Sequence, residues 1–223
     1  MRGALYKWIV VLAATAATAP ALALAALADK EQIHLTASGQ GAARAAVLRK
    51  GDLGTSGAWT GGSVKPDLSS ALPCSTFQPK QSDLVLNGAA RTHWTQPGLS
   101  FDSEAQVLQT AHMVTLDWQR TVLAPQLLPC LRSGLTKSAG ASAHVVSVRR
   151  IAFAHVATYT NAIRVLIDVT TTTAKVRVFV DVVVFGRGRT ELTLTTTAPL
   201  LLDASIRPAE TRLTKILVAR IRA

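Results

Sequence analysis

The residue types able to do chemistry in this chain are two cysteines, five scattered histidines, two strand-borne aspartates and two short basic groups. Cys74 and Cys130 are the only cysteines. An even count in an oxidising compartment predicts one disulfide. Closing a loop of that length contributes about 4 kcal/mol in the chain-entropy model. Two buried free thiols are the alternative. Neither cysteine has a CxxC neighbour, so a redox pair is not expected. Asp168 and Asp181 could meet across neighbouring strands, to move protons or hold a cation. The simpler reading pairs them with Arg164 and Arg177 on the same faces.

Arg187 and Arg189 bracket Gly188 in Gly186-Arg187-Gly188-Arg189. The glycines suit a hairpin turn, because glycine accepts the positive φ that such turns require. A hairpin is not a helix N-terminus, so the dipole argument for phosphate binding does not apply. The guanidinium groups can still grip an anion bidentately. Arg212 and Lys215 lie on the polar face of the last helix. These four residues are the candidate anion contacts, and a solvated basic surface is the alternative. His34, His93, His112, His144 and His155 stand singly, with no second His or Cys at ligand spacing. No metal site and no cofactor are therefore expected. GxSxG and HExxH motifs are absent. No catalytic residue is named, and the chain is expected not to be an enzyme. A hydrolase or transferase built from scattered polar residues is the alternative. A buried, strongly pKa-shifted carboxylate or histidine in a deep pocket would favour it. A structural envelope protein is a third reading, which a large exposed apolar patch would support.

The length, 223 residues, fits one domain plus a targeting segment. Arg2 and Lys7 precede an uncharged run from Trp8 to Ala28, which ends in Ala26-Leu27-Ala28. That pattern predicts a secretory signal over 1–28, cleaved before Asp29, and a single domain over 29–223. Uncleaved, the apolar run is long enough to anchor the chain in a membrane. Without the signal the net charge falls from +11 to +9, since only Arg2 and Lys7 are lost. A basic exported domain is drawn to anionic polymers or lipid headgroups, and nucleic acid is not an expected partner.

The elements that must carry these residues follow from periodicity. Thr36 to Lys50 is Ala-rich and helix-prone, with Thr36 or Ser38 as cap and Gly51 as stop. Gly54 to Asp67 reads as a loop anchored by Trp59, and the irregular chain continues through Cys74 to Lys80. Short strands are expected at Asp83 to Gly88, near Arg91 to Trp94 and at Ser103 to Gln109, with a turn at Pro97-Gly98. Thr110 caps a helix with the stripe Ala111, Val114, Trp118 and Val122. Pro125 breaks it, Gln126 to Leu131 makes a last turn, and Gly134 to Ser142 is a connector. Four alternating runs follow, at His144 to Phe153, Ala162 to Thr170, Val176 to Phe185 and Thr190 to Thr197. Phe179, Val183 and Phe185 share the second face of the third run, where they either line a groove or pack under helices. Pro208 starts a terminal helix. The expected class is α+β: a mainly antiparallel sheet of six to seven strands flanked by about three helices.

The order of these elements carries a resemblance. Leu48-Arg49-Lys50-Gly51-Asp52-Leu53-Gly54 closes the first helix, and Ser103-Glu104-Ala105-Gln106-Val107 forms a strand. A Trp118-bearing helix runs to Leu128-Pro129-Cys130-Leu131, ahead of the Gly-Arg hairpin and the last helix. In outline the chain resembles secreted, uncharacterised proteins of actinobacterial type. It is similar to the extracellular sensor domain of mycobacterial serine/threonine kinases and to PsbP/Mog1-like lipoproteins. The resemblance implies an antiparallel sheet flanked by helices and an extracytoplasmic binding or sensing role. The chain has no kinase domain and no lipid-attachment cysteine beside the signal, and no site residue carries over. The function expected is a non-enzymatic, sensor-like domain for a cell-envelope ligand, either an anionic polymer or a lipid.

Overall fold

The computed structural model describes residues 29–55, 58–66, 68, 77–140, 142–172 and 174–221. The expected signal, Met1 to Ala28, and Cys74 lie outside the described residues. Along the chain run β1 (Gln32–Ile33), α1 (Ala37–Ala46), a 3-10 turn (Lys50–Leu53), β2 (Thr60–Val64), β3 (Val85–Gln96) and β4 (Leu99–Leu108). Next come α2 (Ala111–Asp117), a π-helical segment (Trp118–Val122), α3 (Leu127–Ser138), β5 (Ala143–Arg150) and β6 (Tyr159–Thr170). The chain closes with β7 (Lys175–Arg187), β8 (Thr190–Pro199), a second 3-10 turn (Leu200–Leu202) and α4 (Asp203–Arg220).

The strands form one sheet in the order β1-β3-β4-β8-β7-β6-β5, with β2 also paired to β3. β1 pairs in parallel with the start of β3, and β2 pairs antiparallel with its end. The sheet is therefore mixed, and the class is α+β. The expected six to seven strands and three helices become eight strands and four helices among the described residues. Nothing in this larger mixed sheet is particular to a PsbP/Mog1-like fold.

The differences have local causes. Thr60–Val64 is an edge strand although Gly61 and Gly62 sit in it at φ 129° and 155°, a conformation only glycine adopts freely. β1 is too short for any periodicity to show. The two short strands expected between Asp83 and Trp94 are one strand, bulged between Leu86 and Gly88. At Gly88 a Cβ would lie 2.2 Å from the Gly39 carbonyl, so backbone packs on backbone where α1 crosses β3. α1 ends at Ala46, short of Gly51. The connector expected after Leu131 is helical to Ser138. Pro208 lies inside α4, not at its start.

Several expectations hold. The Thr36 and Thr110 hydroxyls accept from the Gly39 and Met113 N–H groups at 3.0 and 3.2 Å, as N-caps do. Trp59 is buried with its ring 5.6 Å from that of Phe101. One sheet face packs under α1 and α4. There Phe179, Val183 and Phe185 sit in one core with Leu192, Leu194, Leu213 and Leu217, so they line no groove. The face bearing Val182 and Val184 lies under the π-helical segment and α3, and here the covering is incomplete.

Candidate functional site

A cavity of about 310 Å³ opens on that second face. Its floor is the sheet: Glu104 and Gln106 of β4, Glu191 and Thr193 of β8, Val182 and Val184 of β7, and Ile163 of β6. Strand register sets this floor, since Gln106 lies opposite Glu191, Glu104 opposite Thr193, and Thr193 opposite Val184. Asp117, Thr121, Val122, Leu127 and Leu131 come down from the helices. Glu31, just before β1, and Gln81, just before β3, close one end. One half is thus acidic and amide-bearing, and the other is aliphatic. Most lining side chains keep partial exposure, so the cavity reaches solvent.

The π-helical segment has a part in this geometry. Its wider turn lets Trp118 pack on Tyr159, with ring centroids 5.2 Å apart, while Thr121 and Val122 face the cavity. Such segments recur at functional sites. Asp117, at the junction, accepts from the Gln81 amide at 3.4 Å, and its carbonyl accepts from the Thr121 hydroxyl at 2.7 Å.

The electrostatics are unusual for a domain this basic. Glu191 is only 8% exposed, and its Oε1 has no hydrogen-bond partner. Withdrawal from water, and then the Asp117 carboxyl beside it, raise the Glu191 pKa well above the usual carboxylate range. A hydrogen bond between these two carboxyls forms only when one holds a proton, and Glu191 is the one that keeps it. Asp117 is raised by desolvation, against which its hydrogen bonds work. Glu31 is pushed up to about 7 by desolvation, then by the charges of Asp117 and Glu104. Nearby cations are engaged elsewhere. Arg120 and Lys80 hold Asp83 at 2.6 and 3.2 Å, which lowers its pKa to about 2. Arg91 grips Asp102 at 2.7 Å and reaches Glu104 only at 3.9 Å. Among the described residues no Lys or Arg ion-pairs with Glu31, Asp117 or Glu191.

The residues singled out from sequence lie elsewhere. Arg187 and Arg189 are exposed at the β7–β8 turn. Arg212 and Lys215 are exposed on α4, and Arg212 donates to the Asp52 carbonyl at 2.8 Å. No hydrogen bond or ion pair joins the two basic groups among the described residues. Cys130 is 2% exposed in α3, clustered with Phe77, Ala124, Leu127 and Ile163. Asp168 and Asp181 take the simpler role, bound to Arg177 and Arg164 at 2.7 and 2.6 Å. No group of three or more His, Cys, Asp and Glu has metal-holding geometry among the described residues. No described helix is long and apolar enough to cross a membrane. The four cavity acids escaped the sequence reading. The signal available was the alternation that sets Glu104 and Gln106 against Ala105 and Val107.

No family model matches the chain, and no curated protein matches it. The likeness to kinase sensor domains and PsbP/Mog1-like lipoproteins therefore rests on the short strings quoted above. Among solved structures, an uncharacterized protein from Mycobacterium smegmatis, the Rv0999 ortholog, is similar at 17% identity. The match covers 75% of this chain and 87% of that one at a TM-score of 0.38, and it sets neither fold nor function.

Proposed function

We propose that the chain is a non-enzymatic, extracytoplasmic binding domain whose ligand sits in the cavity between the sheet and the π-helix/α3 roof. The observation that carries this is the nearly buried Glu191, whose Oε1 has no hydrogen-bond partner, on the wall of a solvent-connected cavity. A buried polar atom without a partner costs free energy, and on the wall of a solvent-connected cavity a group arriving from outside can supply the missing bond. A volume of about 310 Å³ is at the lower end of small-molecule sites. Export is supported by the signal-like stretch from Arg2 to Ala28. The anionic polymer or lipid headgroup expected from net charge does not suit four acids. If it binds, it does so on the outer surface, through exposed Arg187, Arg189, Arg212 and Lys215.

The test is a titration of the isotope-labelled full chain with a panel of small amines, amides and acids, read by amide chemical shifts. Shifts should centre on Thr121, Val182, Val184 and Thr193. Val184→Trp, which fills the cavity, should abolish them while leaving the fold intact. Shifts centred elsewhere, or a tryptophan variant that binds as before, would overturn the reading.

A second reading has an observation of its own. A buried carboxylate with a strongly raised pKa in a pocket is the mark by which an unrecognised hydrolase or transferase would show itself, and Glu191 beside Asp117 has that character. Two carboxyls sharing a proton can act as general acid and general base. Turnover of ester, peptide or glycoside substrates that disappears in Glu191→Gln would favour the enzyme.

A further inference from the structure

Resting on the cavity reading above, we infer that the occupant is an organic cation: an ammonium or amidinium group set between Glu191 and Asp117, on an apolar body lying along Val122, Leu131, Ile163 and Val184. Charge decides the head group. Glu31, Asp117 and Glu191 converge on one space, beside Glu104, which Arg91 and the Gln106 amide already serve, while Arg120 and Lys80 are bound to Asp83. An anion would face an acidic wall, and a neutral ligand would leave Glu31, Asp117 and Glu191 without a cation among the described residues. A cationic N–H group supplies the donor that Glu191 Oε1 lacks. It makes a charge-assisted hydrogen bond, the stronger kind. The rest of the lining decides the body. A bare divalent cation asks for six or more oxygens. The cavity acids do not converge in a metal-holding group among the described residues, and the opposite half of the cavity is aliphatic, which suits an apolar body.

The empty cavity holds protons in place of the cation. Every element around it contributes: Glu31 ahead of β1, Gln81 ahead of β3, Glu104 and Gln106 on β4, and Glu191 and Thr193 on β8. Asp117 and Thr121 face it from the roof, and Arg120 acts on Asp117 from outside. Binding is an exchange in which the protonated carboxyl releases H⁺ to the buffer and the carboxylate pairs with the incoming ammonium. The organic cation stays intact, no covalent bond beyond that O–H breaks, and affinity rises with pH.

Calorimetry on the full chain at pH 6 and pH 8 tests this, with hexylammonium, 1-hexanol, hexanoate and Ca²⁺ as separate probes. Hexylammonium should bind about tenfold tighter than hexanol, the discrimination worth one charge-assisted hydrogen bond. It should tighten from pH 6 to pH 8, by at most about tenfold per pH unit for one coupled proton, with H⁺ release seen as buffer-dependent heat. Hexanoate and Ca²⁺ should not saturate the site. Glu191→Gln, checked for fold by circular dichroism, should lose the preference for ammonium and keep hexanol binding, and Glu191→Asp should recover part of the preference. Should the glutamine variant fail to fold, the pH profile and proton release of the wild-type chain decide alone. Hexanol or hexanoate binding as tightly as hexylammonium overturns the cation assignment and leaves the cavity reading standing. Ca²⁺ binding tighter than hexylammonium replaces the organic cation with a metal. No probe binding at either pH sinks both readings.

Discussion

On the face under α4, Arg164 is 3% exposed and lies between two acids, Asp181 at 2.5 Å and Asp203 at 2.6 Å, with its guanidinium 4.6 Å over the Phe179 ring. On the face under α3, Glu31, Asp117 and Glu191 share a cavity with no arginine among them. Glu210 sharpens the contrast, because it belongs to the first face and is fully buried. Desolvation, then the charge of Asp181, push it up to about 7, the value Glu31 also reaches. Equal shifts have unequal meanings. Glu210 is sealed in and can do no more than keep its proton, whereas Glu31 stands on a cavity where a cation can take the proton's place. A raised pKa marks burial, and only access to a ligand makes it a candidate site.

Cutting Arg164 out of the compensated face is the strongest way to break this comparison. Arg164→Met leaves Asp181 buried without its partner, and should lower unfolding free energy in urea by about 3–5 kcal/mol. Glu191→Gln on the other face removes no partner of a buried cation, and in the same assay it should not lower unfolding free energy by more than about 1 kcal/mol at pH 7. Equal losses in the two variants would mean that the cavity acids are compensated after all.

The proposed link between Cys74 and Cys130 concerns the roof of the cavity, since Cys130 is in α3. If the bridge forms, intact mass should be lower by two hydrogens than after reduction, and reduction should cost about 4 kcal/mol. A pair of reactive thiols in the oxidised preparation would remove the bridge from the account.

The pH dependence separates the faces further. Glu31, Glu191 and Glu210 have raised values when folded, so the folded chain holds protons that the unfolded chain releases. Their contribution is complete below the unfolded value of 4.5; that of Glu31 and Glu210 is lost as pH rises through about 7, and that of Glu191 is lost as pH rises through its own raised value. Glu210 accounts for about 3 kcal/mol of that loss, at about 1.4 kcal/mol per pK unit. Glu210→Gln should flatten stability between pH 5 and pH 8 by that share, measured as denaturant midpoint against pH. Saturating hexylammonium should flatten the share belonging to Glu31 and Glu191 and leave that of Glu210 untouched. Below the window the sign reverses, because the Asp52 and Asp203 values are lowered, held down by Arg220 and Arg164 against the effect of burial.

The smallest effect belongs to the outer surface. Arg187→Gln with Arg189→Gln should change stability by no more than about 0.5 kcal/mol. Binding to vesicles of anionic lipid, compared at low and high salt, shows whether the basic residues do anything. Identical binding by wild type and double variant at low salt would remove them as anion contacts.

Legibility followed physical range. The strands from β5 to β8 showed in the alternation, because a half-buried strand repeats every two residues wherever it sits. The caps at Thr36 and Thr110 depend on three neighbouring residues each. The pairing of Arg164 with Asp181, and of Arg177 with Asp168, followed from a short hairpin that sets them opposite one another. The extent of β3, the strand at Thr60–Val64 and the helical course of α3 did not show, since each is stabilised by a distant neighbour.

Local residue patterns were enough for the α+β class, the hairpin ladder, the caps and the ion pairs across β6 and β7. Which face of the sheet is sealed and which carries a cavity was settled by long-range packing. β7 is apolar on both faces, so alternation cannot tell them apart, and the choice falls to the helices that arrive from remote parts of the chain. Glu31, Glu104, Asp117 and Glu191 meet because β4 pairs with β8 in one register and α2 turns through a π-helical segment above them. Neither the long-range register nor the placement of that roof is encoded in any local pattern of residues.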